Sequence, residues 1–222
     1  MHPMQQRGFF ETLLMVGAPL ALATLEVFHP HPGDVFQLPL GIWLAVHYSQ
    51  IVLFPLAGIA VVLIVRGVRG VAAGLARIAA FIFAVTFVAF DTAAGVVTGI
   101  LVQAARNSGA PEAWRPAVMA VWTHPIIGGA PGSAPVLAVA GSIAWSVALV
   151  MTAVVVRRAR QSWIATLLLI VSAFALSIFK THAWPGGPLS FGALGFAAAW
   201  LRWGSASASA APATWSRSAP AS

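Results

Sequence analysis

Residues 40–65 read LGIWLAVHYSQIVLFPLAGIAVVLIV, an apolar run without Asp, Glu, Lys or Arg. A stretch of ~20 apolar residues crosses a bilayer as a helix, because each residue adds about 1.5 Å. The run therefore predicts a transmembrane helix. It also contains His47, an ionisable side chain in a segment otherwise suited to lipid.

The whole chain has the composition of an integral membrane protein. Hydrophobic residues make up 59%, charged residues 8%, and the mean hydropathy is +0.89, whereas a soluble domain has about 25% charged residues. We predict an all-α, polytopic membrane protein, with a single bundle over residues 1–203 and a disordered Ser/Ala/Pro-rich tail over 204–222. Its six spans are expected at about residues 9–28, 40–65, 78–102, 134–156, 163–179 and 189–203.

The first span has a second interpretation, as a cleaved signal peptide. Arg7, an apolar run and the small residues around Ala21 imitate the three regions of such a peptide. Glu11 inside the run argues against cleavage. Both interpretations place the end of this segment on the far side of the membrane.

The basic residues predict how the bundle is oriented. The formal net charge is +7, but most basic residues stand in small groups beside apolar runs, which favours anionic lipid over nucleic acid as the partner. With six spans and both termini cytoplasmic, only Arg106, Arg115 and Lys180 of the 12 Lys and Arg residues lie outside, which satisfies the positive-inside rule. We therefore predict a multi-pass protein of a bacterial cytoplasmic membrane.

The same orientation gathers the potential ligands on the outer side. Four of the five acidic residues and five of the six histidines fall in the outer half. Two His-Pro pairs, His29-Pro30 and His31-Pro32, stand at the start of the linker at 30–39. A residue before proline avoids the helical region of backbone conformation. We expect His29 to close the first helix and His31 to lie in extended chain.

His47 and Asp91 are the strongest candidates for a functional pair. An ionisable side chain within a span costs about 3 kcal/mol or more and usually faces the bundle interior with a partner. We expect the two side chains to meet there and to form a hydrogen bond. Trp43, His47 and Gln50 share one helix face, as do Asp91, Gly95 and Thr98.

Further residues at the outer ends complete a predicted metal site. Glu26 and His29 have the Glu-x-x-His spacing with which bundle helices bind metals. The predicted metal ligands are His47, Asp91, Glu26, His29 and His182, with His31 and His124 in reserve. The chain has no cysteine, so zinc, iron or manganese is favoured over copper(I). Haem b is the alternative cofactor, with His47 as its axial ligand.

These residues leave three functions open. A metal or haem site would serve hydrolytic or redox chemistry, on a lipid-like substrate from the bilayer or on a small molecule. His47 and Asp91 would instead form the relay of a small proton-coupled transporter. A structural or assembly role is the third. There is no His-Glu-x-x-His helix and no Gly-x-Ser-x-Gly motif, and Ser190, between glycines, is interpreted as structural.

Overall fold

The computed structural model describes residues 3–31, 33–129 and 133–204, and this part of the chain contains helices and no strand. The predicted all-α fold class is therefore confirmed. All but the first residue of the predicted disordered tail lies outside the described residues. The helices are α1 (residues 3–27), α2 (Leu40–Ile64), α3 (Val71–Asn107), α4 (Arg115–Trp122), α5 (Val136–Arg158), α6 (Trp163–Phe179) and α7 (Gly186–Ala199).

Four of these segments are long and apolar enough to cross a membrane: Gly8–Val27 of α1, and all of α2, α3 and α5. Helix α6 has 17 residues, and α7 has 14 residues followed directly by a five-residue π-helical segment, Trp200–Gly204. At about 1.5 Å per residue, both are shorter than the ~30 Å hydrocarbon layer. The count of six spans and the cytoplasmic placement of the termini therefore stay predictions.

Helix α3 begins at Val71 and ends at Asn107, and is therefore longer at both ends than the predicted span at 78–102. Its first turns contain the charged Arg77. The Nη2 atom of this arginine donates hydrogen bonds to the backbone oxygens of Val65 (2.6 Å) and Val68 (2.9 Å). The guanidinium thus stabilises the turn after α2. A π-helical segment, Asp91–Val97, interrupts α3 in its middle.

The core is a set of aromatic, aliphatic and small side chains between α1, α2, α3, α5, α6 and α7. Within it, the ring centroids of Phe83 and Trp145 are 4.2 Å apart. Trp145 donates from Nε1 to Ser190 Oγ at 2.8 Å, and Ser190 Oγ donates to the backbone oxygen of Ser172 at 2.8 Å. These bonds join α5, α6 and α7, in agreement with the structural interpretation of Ser190.

Two arginines fasten the linker between α1 and α2 to the end of the bundle. Arg106 donates from Nη2 to the backbone oxygens of Phe36 (2.6 Å) and Leu38 (2.8 Å). The Arg115 guanidinium lies 4.4 Å from the Phe36 ring centroid and 3.9 Å from Asp34 Oδ1. The linker therefore lies across the end of the bundle where α1 stops and α2 begins.

Candidate metal centre

A small cavity lies where the end of α1, the start of α2, the middle of α3 and the α6–α7 turn converge. Its volume is about 120 Å³, well below the ~300–1,000 Å³ of ordinary ligand pockets. It has room for a metal ion and one or two small ligands, but not for a haem macrocycle. Its lining residues are His29, Trp43, His47, Phe90, Asp91, Ala94, Gly95, Trp122, Gly128 and His182.

Glu26, His29 and His182 form the closest group of potential ligands. One ligand atom of each lies within 4.8 Å of the other two. In a tetrahedral zinc site with bonds of about 2.0–2.2 Å, two ligand atoms stand about 3.4 Å apart. A bound ion would therefore draw these three ligand atoms closer together by up to about 1.4 Å.

His47 and Asp91 complete the cluster, although the predicted hydrogen bond between them is wrong. His47 Nε2 lies 3.8 Å from Asp91 Oδ1, and His182 Nε2 lies 4.0 Å from the same oxygen. Both distances exceed the ~3.2 Å limit of a good hydrogen bond. Both also exceed, by about half an ångström, the ~3.4 Å between two ligand atoms of a tetrahedral zinc site. The side chains are therefore too far apart to share a proton, and an ion between them would draw them slightly together.

Backbone hydrogen bonds set the imidazole tautomers. His47 Nδ1 lies 2.7 Å from the backbone oxygen of Trp43, and His29 Nδ1 lies 3.0 Å from that of Pro30. A carbonyl oxygen only accepts, so each neutral ring carries its proton on Nδ1. The lone pair is then on Nε2, the atom that a metal would bind, and such hydrogen bonds are the usual support of metal-ligating histidines.

Several ligand-type atoms in the cluster have no hydrogen-bond partner. Buried polar atoms nearly always have one, yet six side chains of the described residues present buried atoms without any. Four of them belong to the cluster: Glu26 (Oε2), His29 (Nε2), Asp91 (both oxygens) and His182 (Nε2). The other two are Gln50, through Oε1, and Thr98, through Oγ1. The concentration of such atoms among the potential ligands fits a coordination shell.

A second layer of residues holds the potential ligands in place. Gln50 donates from Nε2 to Glu26 Oε1 at 2.8 Å, which leaves Glu26 Oε2 directed elsewhere. Trp43 donates from Nε1 to the Gly95 oxygen at 2.8 Å, within the π-helical segment. The two bonds tie α2 to α1 and to α3.

Two glycines allow the close approach that the cluster requires. A Cβ at Gly95 would overlap the His47 ring. A Cβ at Gly187 would overlap the His182 backbone oxygen and lie 2.9 Å from Glu26 Cγ. The Cβ of any other residue would displace a potential ligand at either position.

The two histidines of the cluster that lie outside the helices, His29 and His182, are neutral at pH 7. Burial lowers the pKa of His29 from its usual 6.5 to about 3, and the nearby His47 lowers it further. Burial likewise lowers the pKa of His182 well below its usual value, with His29 as the next contributor. Neutral imidazole is the form that binds a metal.

All five predicted ligands are thus brought together, whereas the two reserve histidines are not. The exposed His31 ring lies 5.7 Å from that of His29 and does not line the cavity. His124 Nδ1 instead accepts a hydrogen bond from the Ile126 amide at 3.3 Å. Sequence reasoning missed the Gln50–Glu26 bond, although Gln50 is a lone amide three residues after His47.

Comparisons of the chain with protein families, curated proteins and solved structures found no match.

Proposed function

We propose that the protein is a multi-pass membrane protein that binds a divalent transition metal ion at the cluster of Glu26, His29, His47, Asp91 and His182. The observation that carries this proposal is the convergence of unpartnered carboxylate and imidazole atoms. His29, Asp91 and His182 line one cavity, and a ligand atom of Glu26 lies within 4.8 Å of those of His29 and His182. Imidazole with carboxylate and no thiolate suits zinc, iron or manganese. The ~120 Å³ cavity favours a bare ion over haem.

The chemistry best supported is hydrolysis of a lipid-like or small-molecule substrate. A bound divalent ion would activate water and polarise the bond to be cleaved. The cluster contains two carboxyl groups, so one can bind the ion while the other accepts the proton of the attacking water. Iron bound by the same residues would favour redox chemistry. The identity of the metal found in the protein therefore distinguishes hydrolytic from redox chemistry.

The proton-relay alternative has less support, because a relay must continue to the opposite side. Among the described residues, the ionisable side chains under 4% exposed are Glu26, His47 and Asp91, all in the cluster. At the other end, Glu11 pairs with Arg66 at 3.0 Å, and both are partly exposed. No buried ionisable group of the described part joins the two ends.

Metal content tests the proposal most simply. We expect about one equivalent of zinc, iron or manganese in protein purified in detergent without chelator, measured by plasma mass spectrometry. Glu26→Gln and His182→Gln should each remove most of it, since each deletes a ligand. His124→Gln is the matched control, because that histidine lies outside the cavity. Wild-type protein that cannot be loaded with any of these ions would refute the proposal.

We also propose that the metal site faces away from the cytoplasm, as the positive-inside rule implies. The chain has no cysteine, so single-cysteine variants report cleanly. Ala110→Cys lies at the end of the molecule that holds the site, and Gln161→Cys lies at the opposite end; both positions are exposed. In intact cells, a membrane-impermeant maleimide should label only Ala110→Cys. Labelling of only Gln161→Cys would show that the orientation is the reverse of the proposed one.

A further inference from the structure

A second cavity adjoins the metal centre. It has a volume of about 430 Å³ and lies between the start of α5, the end of α6 and the middle of α3. His182 and Phe90 line both cavities. A molecule in the second cavity would therefore lie directly beside one of the proposed metal ligands.

This second cavity, which we call the α5–α6 pocket, is apolar inside and open at the side. Leu176 and Phe87 form part of its inner wall, and Val139 and Ile143 line its outer edge. The latter two are 42% and 59% exposed. In a bilayer that edge would face acyl chains, so a ligand with an apolar chain can enter from the membrane.

Most polar side chains of the pocket lie at the end nearest the metal centre, and the exception is Ser142, beside Ile143 on α5. Ser177 and Lys180 are exposed and Thr181 is half-buried, and the three stand at the end of α6 and in the turn after it. Ile143 lies about 10 Å deeper, seven residues beyond the first residue of α5. The pocket is thus arranged for a polar head beside Lys180 and His182 and for a chain that runs inward.

Charge indicates which kind of head fits. At this end of the described structure, Arg106 is bound to backbone oxygens and Arg115 to Glu112 at 2.6 Å. Lys180 has no ion pair with any described residue. A cation without a counter-charge at the mouth of an apolar pocket favours an anionic ligand.

We propose that the α5–α6 pocket binds a single-chain anionic lipid, with its chain along α5 and α6 and its head at Lys180, and that this is the substrate class of the metal centre. The substrate assignment rests on the proposed metal function. A volume near 430 Å³ lies in the lower half of the range for small-molecule pockets, which favours one chain over two.

A larger apolar groove, of about 720 Å³, lies between α2 and α3. Its charged side chain, Arg77, is bound to backbone oxygens, and it does not share a lining residue with the metal cavity. It therefore offers neither a head-group partner nor access to the metal.

The test compares oleate with oleyl alcohol, which has the same chain without the charge, by native mass spectrometry of the protein in a non-ionic detergent. We expect wild-type protein to bind oleate more tightly than the alcohol. Lys180→Gln should weaken oleate binding ~10-fold, the usual scale for a charged hydrogen bond, and leave the alcohol unaffected. Arg115→Gln, which removes a charge already paired with Glu112, is the control and should bind both ligands as the wild type does.

A second pair of variants tests the pocket itself. Ala138→Phe should fill it and abolish binding of both ligands, whereas Val147→Phe, on the same helix outside the lining, should bind both. Oleate binding that is no tighter than alcohol binding, or that survives Ala138→Phe, overturns the proposal. Metal content of the same samples separates the two ideas, because these variants leave every metal ligand in place. Metal-free protein with the expected lipid binding would refute the metal function and the substrate assignment that rests on it, and would leave the lipid pocket standing.

Discussion

Glu26 has the surroundings that most strongly require a positive charge. Its side chain is fully buried, Gln50 satisfies one oxygen, and the other oxygen has no partner among the described residues. Asp91 is buried nearby and also lacks a hydrogen bond. Neither carboxylate pairs with an arginine or lysine of the described chain, and isolated buried charges are very costly. A divalent cation would neutralise both at once.

The Gln50 amide should matter to metal affinity although it is not a ligand. Gln50→Leu keeps the approximate volume and removes the hydrogen bond that orients Glu26. We expect metal affinity to fall about 10–100-fold, the usual effect of losing such a support, when measured by competition with a chelating dye. Gln37→Leu alters an exposed glutamine in the linker and should have no effect. Equal affinities in the two variants would show that Gln50 does not position the carboxylate.

At the level of the elements, the π-helical segment Asp91–Val97 shapes the site. It directs the Gly95 backbone oxygen toward the Trp43 indole and lets the His47 ring pack against Gly95. Such segments are frequent at functional sites. The local change in helical register thus brings Asp91 and His47 to one cavity from two different helices.

Gly95→Ala tests that arrangement. The added methyl group would overlap the His47 ring, so we expect the variant to lose most of its bound metal and to unfold at a lower temperature. Gly74→Ala is the matched control in the same helix, because a Cβ there meets nothing within 4 Å. Alanine is also about 1 kcal/mol more favourable than glycine within a helix. A Gly95→Ala protein with full metal content would contradict the proposed role of the glycine.

The sequence predicts the helices well because length and hydropathy determine them. The second and fifth spans were placed within a residue of α2 and α6. The extension of α3 to Asn107 was missed, because its last turns are amphipathic and pack against the linker and α4 rather than lipid. The π-helical segment has no comparable signal in DTAAGVV (residues 91–97), since it depends on contacts with α2.

The candidate ligands were also found from sequence, because ionisable side chains are rare in and beside apolar runs. The distances between these ligands, in contrast, could not be predicted from the sequence. Whether His47 and Asp91 share a hydrogen bond depends on helix rotation to within about an ångström. The observed 3.8 Å separation follows from the bond between His47 and the Trp43 oxygen and from the π-helical segment.

For the whole molecule, the cluster connects parts that are far apart in the sequence. Glu26 comes from α1, His47 from α2, Asp91 from α3 and His182 from the α6–α7 turn. An ion bound to these side chains would bind the folded state far better than the unfolded chain. Occupancy of the site should therefore stabilise the whole bundle.

Thermal unfolding of the wild-type protein and of His182→Gln in detergent, each stripped of metal and then titrated with zinc, tests the central claim most directly. We expect zinc at 100 times its dissociation constant to stabilise the wild type by about 2.7 kcal/mol, seen as a higher unfolding midpoint, and to leave His182→Gln nearly unchanged. His124→Gln should respond as the wild type does. A wild-type midpoint that zinc, iron(II) and manganese(II) all leave unchanged, or an equal rise in His182→Gln, would contradict the assignment of this cluster as a metal centre.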